Sequence, residues 1–198
     1  MNKSDFDDIF SDLADDADMD FDGYDISSEP YTEYDNKRIS CSFTGHRIIS
    51  AEERISLVPA LKSTILYLIS LGVKEFHCGG AMGFDTLAAG VVFDVSREHP
   101  EIKLILELPY ENQSSKWKDA DKRFYDFVKS KANEINVYSA NPKNKDEAVN
   151  ALLKRNRKMI DKSYYCVCFL KENKGGTAYT VNYAKLHDLH IINLAEQE

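Results

Sequence analysis

Tyr164-Tyr-Cys-Val-Cys-Phe-Leu-Lys-Glu-Asn-Lys-Gly-Gly-Thr-Ala-Tyr-Thr-Val-Asn-Tyr183 reads as an apolar strand, a glycine turn and the opening of a helix. A buried strand that feeds a helix through Gly175-Gly176-Thr177 is a geometry that can hold an anion on free backbone N–H groups. A single Gly pair after a strand is also an ordinary tight turn. The stretch gains weight because the chain repeats it: Val73 to Cys78 is apolar, Gly79-Gly80-Ala81-Met82-Gly83 turns, and Phe84 to Glu98 has helical spacing. The second turn lacks both the dinucleotide Gly-x-Gly-x-x-Gly spacing and the Lys-Ser/Thr of a P-loop.

Outward from these two turns, strand and helix patterns alternate. Arg38 to Phe43 is a strand, and Ser50 with Glu53 forms a capping box that opens a helix with Ile55, Val58, Leu61, Ile65, Leu68 and Ile69 on one face. Ile102 to Leu108 is a third strand ended by Pro109. A helix from about Lys116 to Lys131, a short strand Ile135 to Tyr138 and a helix from about Lys145 to Asp161 follow. Strand five spans Tyr164 to Leu170, the last helix runs from about Thr177 to His187, and His190 to Leu194 closes the pattern. The expected fold is α/β: a Rossmann-like, doubly wound, mostly parallel sheet with helices on both faces. Ligands in such folds bind at the carboxyl ends of strands, where strand order reverses.

The charge is uneven. Residues 1–36 hold 13 Asp/Glu and one Lys, net −12, whereas the whole chain is −8, so residues 37–198 carry 24 basic against 20 acidic residues. The reading is an acidic, disordered extension over 1–36 and one folded domain over 37–198. Phe6, Ile9, Phe10 and Leu13 fall at helical spacing, which leaves a partner-docking helix open, as well as a segment that shields a basic pocket of its own domain. The modest positive balance suits an anionic small ligand, and nucleic acid is not expected as a partner. No run is long enough for a membrane span, and the acidic start is unlike a signal peptide. Cys41, Cys78, Cys166 and Cys168 lack zinc spacing and read as buried thiols of a cytoplasmic protein, with no metal and no required cofactor.

Candidate ligand contacts cluster after the strands. Thr44-Gly45-His46-Arg47 follows strand one: Gly45 permits a close backbone approach, and Thr44 and Arg47 can donate to phosphate or ribose oxygens. His46 reads either as a ligand contact or as a structural hydrogen-bonder. Gly79, Gly80, Met82 and Gly83 form the turn after strand two, and Asp85 sits in the next helix's first turn. Asp85 either complements the helix dipole or accepts from a ribose or water. After strand three, Tyr110, Glu111 and Trp117 offer an aromatic face for a base, or an aromatic packed on its own loop. Arg155 borders an apolar stripe of Val149, Leu152, Leu153, Met159 and Ile160. Asn156 lies within it and must be hydrogen-bonded, to a neighbouring loop or to ligand.

Thr44-Gly-His-Arg47, Gly79-Gly-Ala-Met-Gly-Phe-Asp85, Arg155-Asn-Arg-x-Met-Ile-Asp161 and Gly175-Gly-Thr-Ala-Tyr-Thr-Val-x-Tyr-Ala184, in this order, resemble the SLOG superfamily, and within it the YpsA-like branch rather than the DNA-processing or lysine-decarboxylase-like branches. The resemblance spans roughly residues 38–194. It implies a pocket for nucleotides or NAD- and ADP-ribose-derived ligands, with Gly175, Gly176, Thr177 and Thr180 as its second anion turn, and a homodimer. The LOG branch of similar fold cleaves the N-glycosidic bond of cytokinin ribotides with an Arg and the Glu of Pro-Gly-Gly-x-Gly-Thr-x-x-Glu. Against that motif this chain has Lys174 for Pro, Ala178 for the third Gly and Asn182 for Glu. An amide cannot act as general base. The resemblance therefore favours binding or sensing, with a nucleosidase that uses Asp85 or Glu111 as the alternative.

Overall fold

A computed structural model describes residues 37–195. The expectations for residues 1–36 lie outside them. Within the described residues the chain runs β1 Ser40–Gly45, α1 Ala51–Ser70, β2 Glu75–Cys78, α2 Phe84–Ser96, β3 Lys103–Leu108, α3 Asp119–Lys131, β4 Glu134–Val137, α4 Lys145–Asp161, β5 Tyr165–Phe169, α5 Gly175–Leu186 and β6 His190–Asn193.

All strand pairings are parallel, in the order β4-β3-β2-β1-β5-β6. The chain steps outward from β1 to β4, then returns to the other side of β1 for β5 and β6. Right-handed crossovers therefore place α1, α2 and α3 on one face and α4 and α5 on the other. The packing agrees: α1 lies on α2 and α2 on α3, while α4 lies on α5. The Rossmann-like, doubly wound expectation is met. The strand order reverses at the β1/β5 boundary, so the segments after these two strands open on one crevice.

Strand alternation divides the sheet chemically. Cys41 and Phe43 of β1, Phe76 and Cys78 of β2, and Leu104, Leu106 and Leu108 of β3 join one large core beneath α1 and α2. Phe43 stacks on Phe76 and Phe84 on Phe169, with ring centroids 6.1 and 6.0 Å apart. Ser42, His77 and Glu107, the intervening residues, face the side of α4 and α5, where a smaller core of Ile160, Cys166, Cys168, Val181 and Ala184 sits. One face is thus nearly all apolar and the other mixes apolar with buried polar groups.

Two helices differ from the sequence reading. Ser50 and Glu53 do form the capping box of α1, but its buried face is Leu57, Leu61, Thr64, Ile65 and Leu68. Ile55 is 77% exposed and Val58 is also exposed. At about 100° per residue the buried arc runs through Thr64, Leu57, Leu68, Leu61 and Ile65, and Ile55 and Val58 lie beyond its Ile65 edge. In α5 the glycine turn is itself the helix start: Gly175 and Gly176 are its first two residues, and Gly175 takes φ +75°. Without side chains to clash, the backbone enters the helix two residues earlier than the apolar periodicity signals.

Candidate functional site

The segment after β1 and the turn after β2 are locked into each other. A Cβ on Gly45 would overlap the Phe84 ring, and one on Gly83, at φ +83°, would strike the His46 and Arg47 carbonyl oxygens. The Phe84 N–H donates to His46 O at 3.1 Å. Gly45 was expected to allow close approach of a ligand; what approaches it is Phe84. The space beside Gly79 is occupied likewise, by the Arg155 guanidinium and the Asp85 carboxylate.

Asp85 organises this joint. It is 6% exposed, and the backbone N–H groups of Ala81 and Gly45 donate to its carboxylate, one from each turn. Arg155 Nη1 stands 3.8 Å from Asp85 Oδ2. Burial pushes the Asp85 carboxyl up to about 6, against the pull of Arg155, the Ala81 and Gly45 N–H groups, and Arg47. Burial also lowers the Arg47 guanidinium to about 10, helped by the neighbouring Arg155 charge. Tyr110, 7% exposed, lies within the electrostatic reach of both arginines.

Arg155 itself is 3% exposed, deeper than a residue that only borders the apolar stripe of α4. Its Nη1 donates to the Glu107 carbonyl oxygen at 3.2 Å, and its Nε has no hydrogen-bond partner. The next residue, Asn156, faces the other turn: its Nδ2 donates to Thr180 Oγ1 at 2.8 Å, and that hydroxyl donates to Gly176 O at 2.9 Å. Two consecutive side chains of α4 therefore hold the two glycine turns, Arg155 the first and Asn156 the second.

His46 joins the β1 segment to the β5 loop. Its Nε2 accepts from the Lys171 N–H at 3.0 Å, which requires an unprotonated Nε2. Burial, with the Lys171 charge, lowers its pKa and favours that neutral form. Lys171 Nζ pairs with Glu53 at 2.8 Å and Lys174 with Glu172 at 2.7 Å, so two ion pairs lie in the loop before α5 and at its start. Gly176 is exposed, and a Cβ there would meet nothing within 4 Å. Thr177 and Met82 are part-exposed, and Thr44 is buried at the end of β1.

The remaining candidates stand apart. Trp117 packs edge-on against Tyr125 at 5.1 Å and is part of the main core's rim. Glu111 is exposed on the loop after β3. Asn182, at the position of the LOG-type Glu, is exposed on α5 and bonds Asn173 at 3.4 Å. Gln113, which sequence reasoning missed, ties this loop to the first turn by donating to Gly80 O at 3.2 Å and to Tyr125 Oη at 3.1 Å.

A second missed group lies under α4. Glu107 is fully buried and accepts from His77 Nδ1 at 2.8 Å, Tyr138 Oη at 2.6 Å and Lys162 Nζ at 3.2 Å. Burial alone would raise its pKa, but these three donors hold it down at about 2. The sequence carried a signal: a Glu inside Leu104-Ile-Leu-Glu-Leu108 must be paired if that strand is interior.

Residues 50–193 match the family model described as the YspA SLOG family (YpsA). The chain belongs to the YspA SLOG family. A UPF0398 protein of Bacillus cereus strain B4264 is 29% identical over 127 residues, covering 64% of this chain and 67% of the relative. A UPF0398 protein of Bacillus thuringiensis strain Al Hakam is 28% identical over the same length and shares of the two chains. Among solved structures, DNA processing protein A of Streptococcus pneumoniae superposes with TM-score 0.51 at 15% identity, over 77% of this chain and 48% of that one. The Helicobacter pylori protein of that name gives 0.54 at 16% identity, over 78% and 64%. This chain thus spans about half and under two thirds of those two neighbours, and at these identities the likeness concerns fold.

The Helicobacter pylori neighbour is described by its single-stranded DNA binding mode. That overturns the expectation that nucleic acid is not a partner of this YspA SLOG chain. The exclusion rested on the small net charge of residues 37–198. Net charge is blind to where cations and helix N-termini gather, and those local features govern phosphate contacts. Among the described residues no helix is long and apolar enough to cross a membrane.

Proposed function

We propose that this chain is a binding or sensing protein for the phosphate groups of a nucleotide or of an NAD- or ADP-ribose-derived ligand. The phosphate would be held at the start of α5 in the crevice between β1 and β5. One observation carries the reading. The positive ends of α1 and α4 are met by the caps Ser50 and Asn144, and that of α3 by Asp119 and Asp121. The uncapped start of α2 has the buried Asp85. Among the described helices, α5 alone begins with neither a side-chain cap nor an acid in its first turn. Its free N–H groups and dipole suit an anion from solution. The open Gly176 supports the same placement.

Turnover is the weaker reading. Asp85 already accepts from two backbone N–H groups that join the turns, and Glu111 is exposed. A second binding reading, contact with the phosphates of a single nucleic-acid strand, is supported by the fold shared with the DNA-processing proteins. It uses the same α5 terminus, because a strand presents the same phosphate chemistry.

The test is Gly176→Asp, assayed by calorimetry with AMP, NAD, ADP-ribose and a single-stranded oligonucleotide. A carboxylate in the first turn stabilises the helix while occupying the anion position. The variant should melt no lower than wild type, yet bind at least tenfold more weakly. Retained affinity would move the site away from α5. Tight binding by the oligonucleotide alone would select the strand reading, and release of free base from AMP or NAD by wild type would make the chain an enzyme.

A further inference from the structure

The aromatic side chains expected to meet a base are committed elsewhere. Tyr110 is 7% exposed, and Trp117 packs on Tyr125. The His46 ring stands edge-on to Phe169, with centroids 6.1 Å apart. What lies beside the second glycine turn is a column of rings on α5 itself. Tyr179, Tyr183 and the C-capping His187 follow Gly176 at helical spacing, which puts all four on one stripe of the helix. The Tyr179 and Tyr183 rings stack with centroids 6.5 Å apart and planes 19° from parallel. Tyr183 in turn meets His187 at 4.2 Å. All three rings are part-exposed.

The column is anchored from α4. Tyr183 Oη donates to Asp161 Oδ1 at 2.9 Å, and Thr180, the residue after Tyr179, is held by Asn156. Rings fixed in this way lose little freedom when a further ring stacks on them. Side chains of a helix lean toward its N-terminus, so each ring covers the turn before its own Cα. The column therefore runs back from His187 toward the glycine turn. It ends on Tyr179, the first large side chain of α5 after Gly175-Gly-Thr-Ala178. Three residues of helix rise about 4.5 Å. Tyr179 and the N–H groups of the turn thus lie within the span of one nucleotide, whose base and phosphate are separated by a single sugar. No atom comes within 4 Å of a Cβ built on Gly176, so the space beside the turn is open.

We infer that Tyr179 is the base platform of the ligand: a nucleobase stacks on its ring while the attached phosphate rests on the α5 turn. The inference rests on the anion site proposed above and adds to it the class of group joined to the phosphate. A base placed there extends an existing stack of rings. Stacking of this kind accepts any base, because each has a π-face. Sugar phosphates and inorganic phosphate lack that face, and the platform selects against them. A free nucleotide and a nucleic-acid strand share the required chemistry.

Calorimetry on the full chain with two ligand pairs tests this: AMP against ribose 5-phosphate, and a short oligodeoxyadenylate against an abasic strand of equal length. The base-bearing member of a pair should bind about tenfold more tightly. Tyr179→Ala should abolish that difference and leave the affinity of the baseless member unchanged, whereas Tyr179→Phe should keep it. A preference confined to the AMP pair assigns a free nucleotide, and one confined to the oligonucleotide pair assigns a strand; either supports the platform. Equal affinity within both pairs for the wild type would overturn the inference. So would a preference that survives Tyr179→Ala, or an equal loss of both members, which would make Tyr179 a structural residue. In those cases ribose 5-phosphate binding that Gly176→Asp abolishes would leave the anion site standing without the platform. No binding by any of the four ligands would remove both.

Discussion

The two glycine turns have similar sequences and opposite surroundings. Around Gly79, Gly80 and Gly83 the space that side chains would take is filled by Arg155, Asp85, Gln113 and the His46-Arg47 backbone. Around Gly176 it is empty. The first turn uses its glycines to let protein approach protein; the second leaves its backbone open to solvent. A glycine-rich strand-to-helix turn therefore does not by itself announce a ligand. What distinguishes the two is whether the helix that follows has its positive end already answered from within.

The sharpest way to break the comparison is to add the same methyl group to each turn. Gly79→Ala forces the buried Arg155 guanidinium off its position over Glu107 O and away from Asp85. Separating a buried charge from its partners costs about 3–5 kcal/mol, and urea unfolding should show a loss of about 4 kcal/mol or no folded protein. A loss below 1 kcal/mol would mean that Arg155 is not held there.

Glu107→Gln comes next, because it removes the charge beneath the first turn's clamp. The carboxyl is held near 2 against an ordinary 4.5, so the stability it contributes is present above pH 4.5 and is lost as pH falls through 2. That shift corresponds to about 3 kcal/mol at neutral pH. The variant should lose about that much at pH 7 and match wild type near pH 2.

Asp85→Asn works with the opposite sign. Its carboxyl is raised from 3.8 to about 6, so the contribution is fully present below 3.8 and lost as pH rises through 6. The amide oxygen can still accept from the Gly45 and Ala81 N–H groups. Unfolding midpoints of the variant should stay within about 1 kcal/mol of wild type at pH 7. The fall in stability between pH 4 and 6 should flatten; an unchanged slope would assign that titration to another group.

The contrast also shows what could be read without coordinates. Alternating periodicity gave the six strands, the five helices and the parallel sheet, and the Ser50–Glu53 capping box marked the start of α1 correctly. Those signals are local. The α1 face was misassigned because Ile55 and Val58 keep helical spacing with Ile65 but lie beyond the edge of the buried arc centred on Leu57, Leu61 and Leu68. The joint between the turns was invisible for a related reason. Gly45 against Phe84, Asp85 between two backbones and Gln113 on Gly80 each depend on segments brought together only by the strand order. Glu107 lay between these cases: its presence in an apolar strand signalled a partner, but His77 comes from β2, Tyr138 from just after β4 and Lys162 from just after α4.

Gly176→Ala has the smallest effect and the most diagnostic sign. Gly176 lies in the first turn of α5 without a left-handed φ, in open space, so alanine replaces a helix-destabilising glycine at no steric cost. The gain should be about 0.5–1 kcal/mol, measured by the same urea unfolding that registers the loss at Gly79. Opposite signs from one methyl group would establish that the first turn is closed by the protein and the second is left open. If Gly176→Ala instead destabilises, the α5 turn is also an internal joint, and the asymmetry between the two turns fails along with the anion site built on it.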